Sequence, residues 1–86
     1  MIDNYLPLVR AVIDAFLLLD SCGDDEVNPD TAVRGMENMA SHLLELQPSD
    51  QLALRADLDR IAGRATDQAS RDFVRALPDM IGLARE

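Results

Sequence analysis

The stretch NPDTAVRGMENMASHLLELQP, Asn28 to Pro48, is the part of the chain that decides the fold. At about 100° per residue of an α-helix, its apolar side chains fall on one broad face: Ala32, Val33, Met36, Met39, Ala40, Leu43, Leu44 and Leu46. Asn28 suits an N-cap, Pro29 suits the first helical position, and Asp30 adds negative charge where the helix dipole favours it. The stretch therefore predicts an amphipathic helix that ends at Gln47-Pro48, because a residue preceding Pro avoids the helical region.

The residues before this stretch predict another helix over about Tyr5 to Leu19, with Asn4 as a candidate N-cap and Pro7 in the first turn. Its apolar residues occupy two sides, and Arg10 and Asp14 lie between them at the i,i+4 spacing of an ion pair. One side carries Leu6, Val9, Ile13 and Phe16, and the other carries Leu8, Val12, Ala15 and Leu19. A helix so apolar around its circumference is central in a bundle or shared with another chain.

If the first helix is shared, the simplest assembly is a homodimer through helix 1. We then predict that Leu8 and Val12, or Leu17 and Leu18, lie in the subunit contact.

Two further helices follow Pro48. The first covers about Ser49 to Ala65, and its narrow apolar stripe (Leu54, Leu58, Ile61, Ala62 and Ala65) predicts a peripheral position. Arg55–Asp59 and Asp57–Arg60 have ion-pair spacing along it. The second covers about Gln68 to Leu83 after the cap candidates Thr66 and Asp67, with an inner face of Phe73, Val74, Leu77, Met80, Ile81 and Ala84. Pro78 interrupts the bond to the Val74 carbonyl but the apolar pattern continues, so we expect a kinked helix with Pro78 on its polar side.

The composition agrees with an all-α fold. The 86 residues are 48% hydrophobic and 28% charged, and aromatic residues make up only 3%, so Leu, Ala, Val, Ile and Met must fill the core. A chain of this length forms one small domain. We therefore predict a single helical domain over residues 1–86, a compact four-helix bundle-like arrangement with helix 4 kinked at Pro78.

The formal net charge of −8 argues against nucleic acid and membrane surfaces as partners, because both bind clustered Lys or Arg. Another protein, in particular a basic one, is the expected partner. All eight basic residues are Arg, which is typical of a GC-rich genome and indicates a bacterial source. The start of the chain lacks the basic region of a signal peptide, and the apolar run Leu6 to Leu19 is shorter than a membrane span, so we expect a cytoplasmic protein.

The acidic stretch Leu17 to Thr31 has three interpretations: a metal loop, a reactive-cysteine site or a connector between helices. Counted from Asp20, an EF-hand fails at Cys22, Asp25 and Thr31. Carboxylates still concentrate cations, so weak, unselective binding of a divalent cation is compatible with the stretch. A reactive Cys22 would need nearby positive charge, whereas it follows a helix C-terminus among carboxylates. We therefore interpret the stretch as a connector, with Cys22 as a partly buried residue near a Gly23 C-cap.

No arrangement of residues predicts catalysis. His42, the sole histidine, lies on the polar face beside Glu45, as a solvated histidine near a carboxylate does. Asp57 and Asp59 are two residues apart on a helix, so they face different directions and do not form a dyad. We expect no enzyme activity, no cofactor and no metal site. Met36, Met39 and Met80 fall on inner faces, as core filler or as an adaptable groove for a partner's helix.

The function that these observations favour is a small interaction module that binds another protein. The alternative is an acidic inhibitor, of the immunity or antitoxin type, that neutralises a basic toxin or nuclease. Size, acidity and predicted four-helix character are similar to those of the colicin nuclease immunity proteins, although the Tyr-Tyr-Pro element through which those proteins engage their toxins is absent here. The polar residues that we expect to contact a partner are Asp24, Asp25, Glu26, Glu37, His42 and Glu45.

Overall fold

Four α-helices make up most of the protein in the computed structural model, which describes residues 6–23 and 25–85. Their bounds are α1 Leu6–Ser21, α2 Pro29–Leu43, α3 Pro48–Arg64 and α4 Gln68–Ile81. No strand occurs in these ranges. The predicted all-α, four-helix arrangement is therefore confirmed, while the proposed N-cap Asn4 lies outside the described residues.

The helix ends are fixed by the residue types that the sequence places there. Oδ1 of Asn28 accepts a hydrogen bond from the Asp30 N–H at 2.8 Å, and Oδ2 of Asp67 accepts one from the Ser70 N–H at 2.8 Å. Both N-cap predictions are thus confirmed. The end of α2 was predicted too late: the helix stops at Leu43, and residues 44–46 form a turn.

The core lies between α1, α3 and α4, with α2 packed against one side. Its fully buried apolar side chains are Val9, Ile13, Phe16, Leu54, Leu58, Ala62, Val74, Leu77, Ile81 and Leu83. From α2 only Ala32 is fully buried. The other inward residues of the Asn28 to Pro48 stretch are half-buried against the core: Met36, Met39, Ala40, Leu43 and Leu46. Helix α2 is therefore the least deeply buried of the four helices.

Helix α3 is not peripheral, which corrects the sequence prediction. Its closest packing is with α4, and it also contacts α1. Two polar residues, Gln51 and Asp57, are buried beside Leu54 and Leu58, so the inner face is wider than the apolar stripe suggested. Asp57 is held by the predicted ion pair with Arg60, whose Nη1 lies 3.3 Å from Oδ1.

Helix α4 continues through Pro78, as the sequence predicts, and ends at Gly82, where φ is +91°. A positive φ favours glycine because it has no Cβ to clash with the backbone. Pro78 itself is buried, so its predicted place on the polar side was wrong. The reason is that α3 packs along that flank of α4, where Pro78 lies beside Leu52 and Ala56.

Two residues of α3 hold the segment that follows α4 against the bundle. The Gln51 amide donates to the Leu44 and Leu46 carbonyls at 3.1 and 2.9 Å, and its Oε1 accepts from the Ala84 N–H at 2.9 Å. Arg55 donates from Nε to the Ala84 carbonyl at 3.0 Å and from Nη2 to the Leu83 carbonyl at 2.8 Å. These bonds place Leu83 in the core beyond the end of α4.

Candidate functional site

The acidic residues predicted to contact a partner do not form one compact site. Asp25 and Glu26 are exposed in the connection between α1 and α2, and Asp24 lies outside the described residues. His42 and Glu45 are exposed at the other end of α2. With 15 residues and a rise of about 1.5 Å per residue, α2 separates the two groups by roughly 20 Å.

His42 and Glu45 form the solvated pair that the sequence predicts. Nδ1 of His42 lies 3.3 Å from Oε2 of Glu45, and both side chains are largely exposed. In the ranges 6–23 and 25–85, no group of three or more His, Cys, Asp or Glu residues is placed to hold a metal ion. Asp57 is buried and Asp59 is exposed, so these carboxylates face different directions, as predicted.

The connection between α1 and α2 is held by its own hydrogen bonds. The Gly23 carbonyl accepts from the N–H groups of Glu26 and Val27 at 2.9 and 3.1 Å, and Glu26 Oε1 accepts from the Gly23 N–H at 3.2 Å. Gly23 does not have a positive φ, so it does not adopt the left-handed conformation that is typical of a glycine C-cap. Cys22 is half-buried, as predicted.

A groove of apolar side chains runs along α2, and we call it the α2 groove. Between α2 and α4 it is lined by Phe16, Val33, Met36, Ala40 and Met80, with Glu37 at its rim. Val33 is 49% exposed and Met80 is 53% exposed, so two apolar side chains of the lining remain open to solvent.

The α2 groove extends towards the acidic connection. A neighbouring depression between α1 and α2 shares Val33 and Met36 with it and adds Leu19 and Val27. Asp20 also lines this end. One side of the bundle is therefore an apolar strip that leads from Met80 to a group of exposed carboxylates.

The acids beside the α2 groove are free of basic partners within the part of the chain that the structure describes. These acids are Asp20, Asp25, Glu26, Asp30 and Glu37, all exposed. Unpaired carboxylates at the end and rim of an apolar strip give this surface a strongly negative potential. Of the predicted contact residues, Glu37 lines the groove, Asp25 and Glu26 lie in the connection just before the lining residue Val27, and His42 and Glu45 lie away from it.

Two of the groove residues were assigned wrongly from the sequence. Met36 and Met39 are half-buried against the core, as predicted, but Met80 is exposed. Val33 was placed on the inner face of its helix and is also exposed. The available signal was the width of the apolar face of α2, which is broader than the surface that the neighbouring helices cover.

The outer face of α1 carries a second group of exposed apolar residues. Leu8 is 57% exposed and Leu18 is 63% exposed. At 100° per residue they share a face with Ala11 and Ala15, at spacings of three and four residues. Leu17 lies on another side, where it lines a depression with Ile61 and Phe73. Val12, which is half-buried, packs against the core.

No protein-family model, curated protein or solved structure matches the chain. Among the described helices, none has the length and apolar character needed to cross a membrane.

Proposed function

We propose that this protein is an interaction module that receives a basic amphipathic helix of another protein in the α2 groove. The observation that carries the proposal is the exposure of Val33 and Met80 in an apolar groove that continues past Met36. Soluble proteins that recognise helices do so with such grooves, which take apolar side chains spaced at i, i+3, i+4 and i+7. Met36 and Met80 suit this role because methionine is flexible and polarisable and adapts to different side chains.

The charge around the groove selects the chemistry of the partner. Asp20 and Glu37 line the groove, and Asp25, Glu26 and Asp30 are chain neighbours of its lining residues Val27 and Pro29. These acids have no basic partner among the described residues. A partner helix with Lys or Arg on its outer face would meet these carboxylates while its apolar face fills the groove. The net charge of −8 would also steer a basic partner towards the protein.

The test uses a synthetic amphipathic helix with Leu at i, i+3, i+4 and i+7 and Lys on its other face. Fluorescence anisotropy measures its binding to the protein and to Met80→Asp, which places a charge in the α2 groove. Leu44→Asp is the matched control, because it adds the same charge at a leucine that is 42% exposed and lies outside both the α2 groove and the outer face of α1. We expect Met80→Asp to weaken binding about tenfold or more, the loss of one good apolar contact, and Leu44→Asp to leave it unchanged.

Equal binding by the wild type and Met80→Asp would contradict the proposed groove. A second peptide, with Glu in place of Lys, tests the charge. It should bind more weakly than the basic peptide. The difference in affinity should shrink as salt rises, because salt screens the interaction between exposed charges, with a Debye length of about 8 Å at physiological ionic strength.

The acidic inhibitor is the second candidate function, and the same unpaired carboxylates support it. An inhibitor of a basic toxin or nuclease would associate quickly, with an on-rate that falls steeply as salt rises. Binding that depends mainly on the apolar groove would show a weaker salt dependence. A neighbouring gene for a strongly basic protein would favour the inhibitor, and stopped-flow association with that protein would decide between the two.

We also infer that α1 forms a homodimer contact through Leu8, Ala11, Ala15 and Leu18. In an antiparallel pair about a two-fold axis, Leu8 packs against Leu18 of the partner subunit and Ala11 packs against Ala15 of the partner subunit, so the same spacing serves both chains. Light scattering at high protein concentration tests this contact, with Leu18→Asp expected to give only monomer. A monomeric wild type would overturn it.

The remaining expectations about function stay predictions: a cytoplasmic protein without enzyme activity, cofactor or nucleic-acid partner. Assays of the purified protein for hydrolase activity test the first of these, since catalysis by this chain alone would contradict it.

A further inference from the structure

The outer flank of α3 and α4 holds a groove whose charge is opposite to that of the whole protein. It lies on the other side of α4 from Met80, and its volume of about 460 Å³ falls within the size range of small-molecule sites. Leu52, Ala56 and Pro78 provide apolar surface in it. We call it the arginine groove, because Arg55, Arg75 and Arg85 also line it.

Three of the eight basic residues of the chain therefore lie in one groove, although acidic residues outnumber basic ones by 16 to 8. Two carboxylates accompany them. Asp59 lines the groove, and Asp79 pairs with both Arg55 and Arg85. Three positive and two negative charges leave one net positive charge in the groove.

Arg55 is positioned before any ligand arrives. Its Nε, Nη1 and Nη2 donate to the Ala84 carbonyl, to Asp79 Oδ1 and to the Leu83 carbonyl at 3.0, 3.0 and 2.8 Å. A guanidinium has five N–H donors, so two remain unused on a side chain that is held in place by three bonds. A fixed guanidinium loses little conformational freedom when it binds an anion.

Arg75 supplies a free guanidinium in the same groove. It forms no ion pair or hydrogen bond with the described residues, in contrast to Arg55 and Arg85. Asp59 also forms no ion pair within those ranges, so the predicted Arg55–Asp59 pair is replaced by the bonds from Arg55 to Asp79, Leu83 and Ala84. Among the described residues, none occupies the N–H donors of Arg75, which lines the groove together with Pro78.

We propose that the arginine groove binds a monocarboxylate that is carried on an apolar group. Arginine recognises a carboxylate through two parallel hydrogen bonds, and Leu52, Ala56 and Pro78 accept the apolar part. The single net positive charge matches one carboxylate better than a dianionic phosphate, which would leave excess negative charge beside Asp59 and Asp79. This site is independent of the α2 groove, so either proposal can fail without the other.

The test is an NMR titration of the ¹⁵N-labelled protein with N-acetyl-leucine, a peptide-like monocarboxylate, and with hexanoate, a simple aliphatic one. N-acetyl-leucinamide and hexyl phosphate are the neutral and dianionic comparisons. We expect saturable shifts at the amides of Leu52, Ala56 and Arg75, with a Kd on the order of 1 mM for so small a ligand. Tighter binding of N-acetyl-leucine than of hexanoate assigns the site to peptide carboxylates, and the reverse order assigns it to free aliphatic acids.

Arg75→Gln is the decisive variant, because the Arg75 side chain has no structural partner among the described residues. We expect it to weaken carboxylate binding about tenfold or more, the usual effect of losing a hydrogen bond to a charged group. Arg34→Gln, which removes the same charge from an exposed position on α2, is the control and should bind normally. Asp59→Asn should strengthen binding about twofold to fivefold, since it removes a repulsive charge.

Three results would overturn the proposal. The first is the absence of saturable shifts up to about 20 mM ligand, a concentration well above a Kd on the order of 1 mM. The second is equal binding of N-acetyl-leucine and N-acetyl-leucinamide. The third is stronger binding of hexyl phosphate than of hexanoate. Equal loss of affinity in Arg75→Gln and Arg34→Gln would also overturn it, because the effect would then come from net charge alone.

Discussion

Replacing Gln51 by Leu is expected to destabilise the protein more than any substitution of an exposed glutamine. The Gln51 side chain makes three hydrogen bonds to the backbone: two to the carbonyls of Leu44 and Leu46, and one from the N–H of Ala84. Leu has a similar size but has neither donor nor acceptor. The substitution therefore leaves three partly buried backbone groups without their partner.

The magnitude follows from the cost of an unsatisfied polar group, about 1–3 kcal/mol for each one that is buried. Because the groups are partly buried, water reaches some of them, and we take about 1 kcal/mol for each. The new leucine at a site that is 9% exposed offsets roughly 1 kcal/mol through apolar burial. The net loss of about 2 kcal/mol corresponds to a decrease in Tm of roughly 8–16 °C for a domain of this size.

Urea and thermal unfolding, followed by far-UV circular dichroism, measure this loss. The matched control is Gln68→Leu, at an exposed glutamine whose amide bonds only the Asp72 side chain. It should change the free energy of unfolding by no more than about 0.5 kcal/mol, as surface substitutions usually do. If Gln51→Leu is as stable as Gln68→Leu, the three bonds contribute no net stability and the reasoning is wrong.

Gly82→Ala should lower the free energy of unfolding in urea by about 1 kcal/mol or more, because φ is +91° at this position. Gly63→Ala should raise it by about 0.5–1 kcal/mol, because the new Cβ meets no atom within 4 Å. Asp67→Ala removes the N-cap of α4 and should cost about 1 kcal/mol in the same assay. Hydrogen bonds from Arg85 and Arg55 hold the pKa of Asp79 below the ordinary value of 3.8. The stability that these hydrogen bonds give to the folded protein is therefore fully present above pH 3.8 and is lost as the pH falls through the lower pKa of Asp79 in the folded state. Arg85→Gln should raise this pKa of Asp79 in an NMR titration. An Asp79 pKa unchanged by Arg85→Gln would contradict the assigned cause.

The sequence predicted the helices well because their signals are local. Asn28 and Asp67 cap their helices through their own neighbours, and the apolar periodicity of α2 needs no knowledge of the other helices. The position of α3 was not predictable in this way. Gln51 and Asp57 have polar side chains, and only the backbone groups and arginine that they meet in the folded bundle make their burial favourable.

The candidate sites were harder to predict because they depend on how the helices pack. The sequence pattern predicts that Val33 and Met80 are core residues, but in the structure the packing of α2 and α4 leaves both exposed. The spacing of Arg55 and Asp59 predicts an i,i+4 ion pair, but the Arg55 guanidinium donates hydrogen bonds to residues that lie 24 to 29 positions later in the chain. A pattern of nearby residues contains no signal for such distant contacts, so the arginine groove was missed entirely.

The attachment of the last described residues to α3 has a consequence for synthesis on the ribosome. The bonds from Gln51 and Arg55 to Leu83 and Ala84 join positions 28 to 33 residues apart. Until these two residues leave the exit tunnel, the nascent chain lacks both Leu83 in its core and the acceptors of Arg55. We therefore expect the bundle to become protease-resistant only once residues 83 and 84 have emerged and packed against α3.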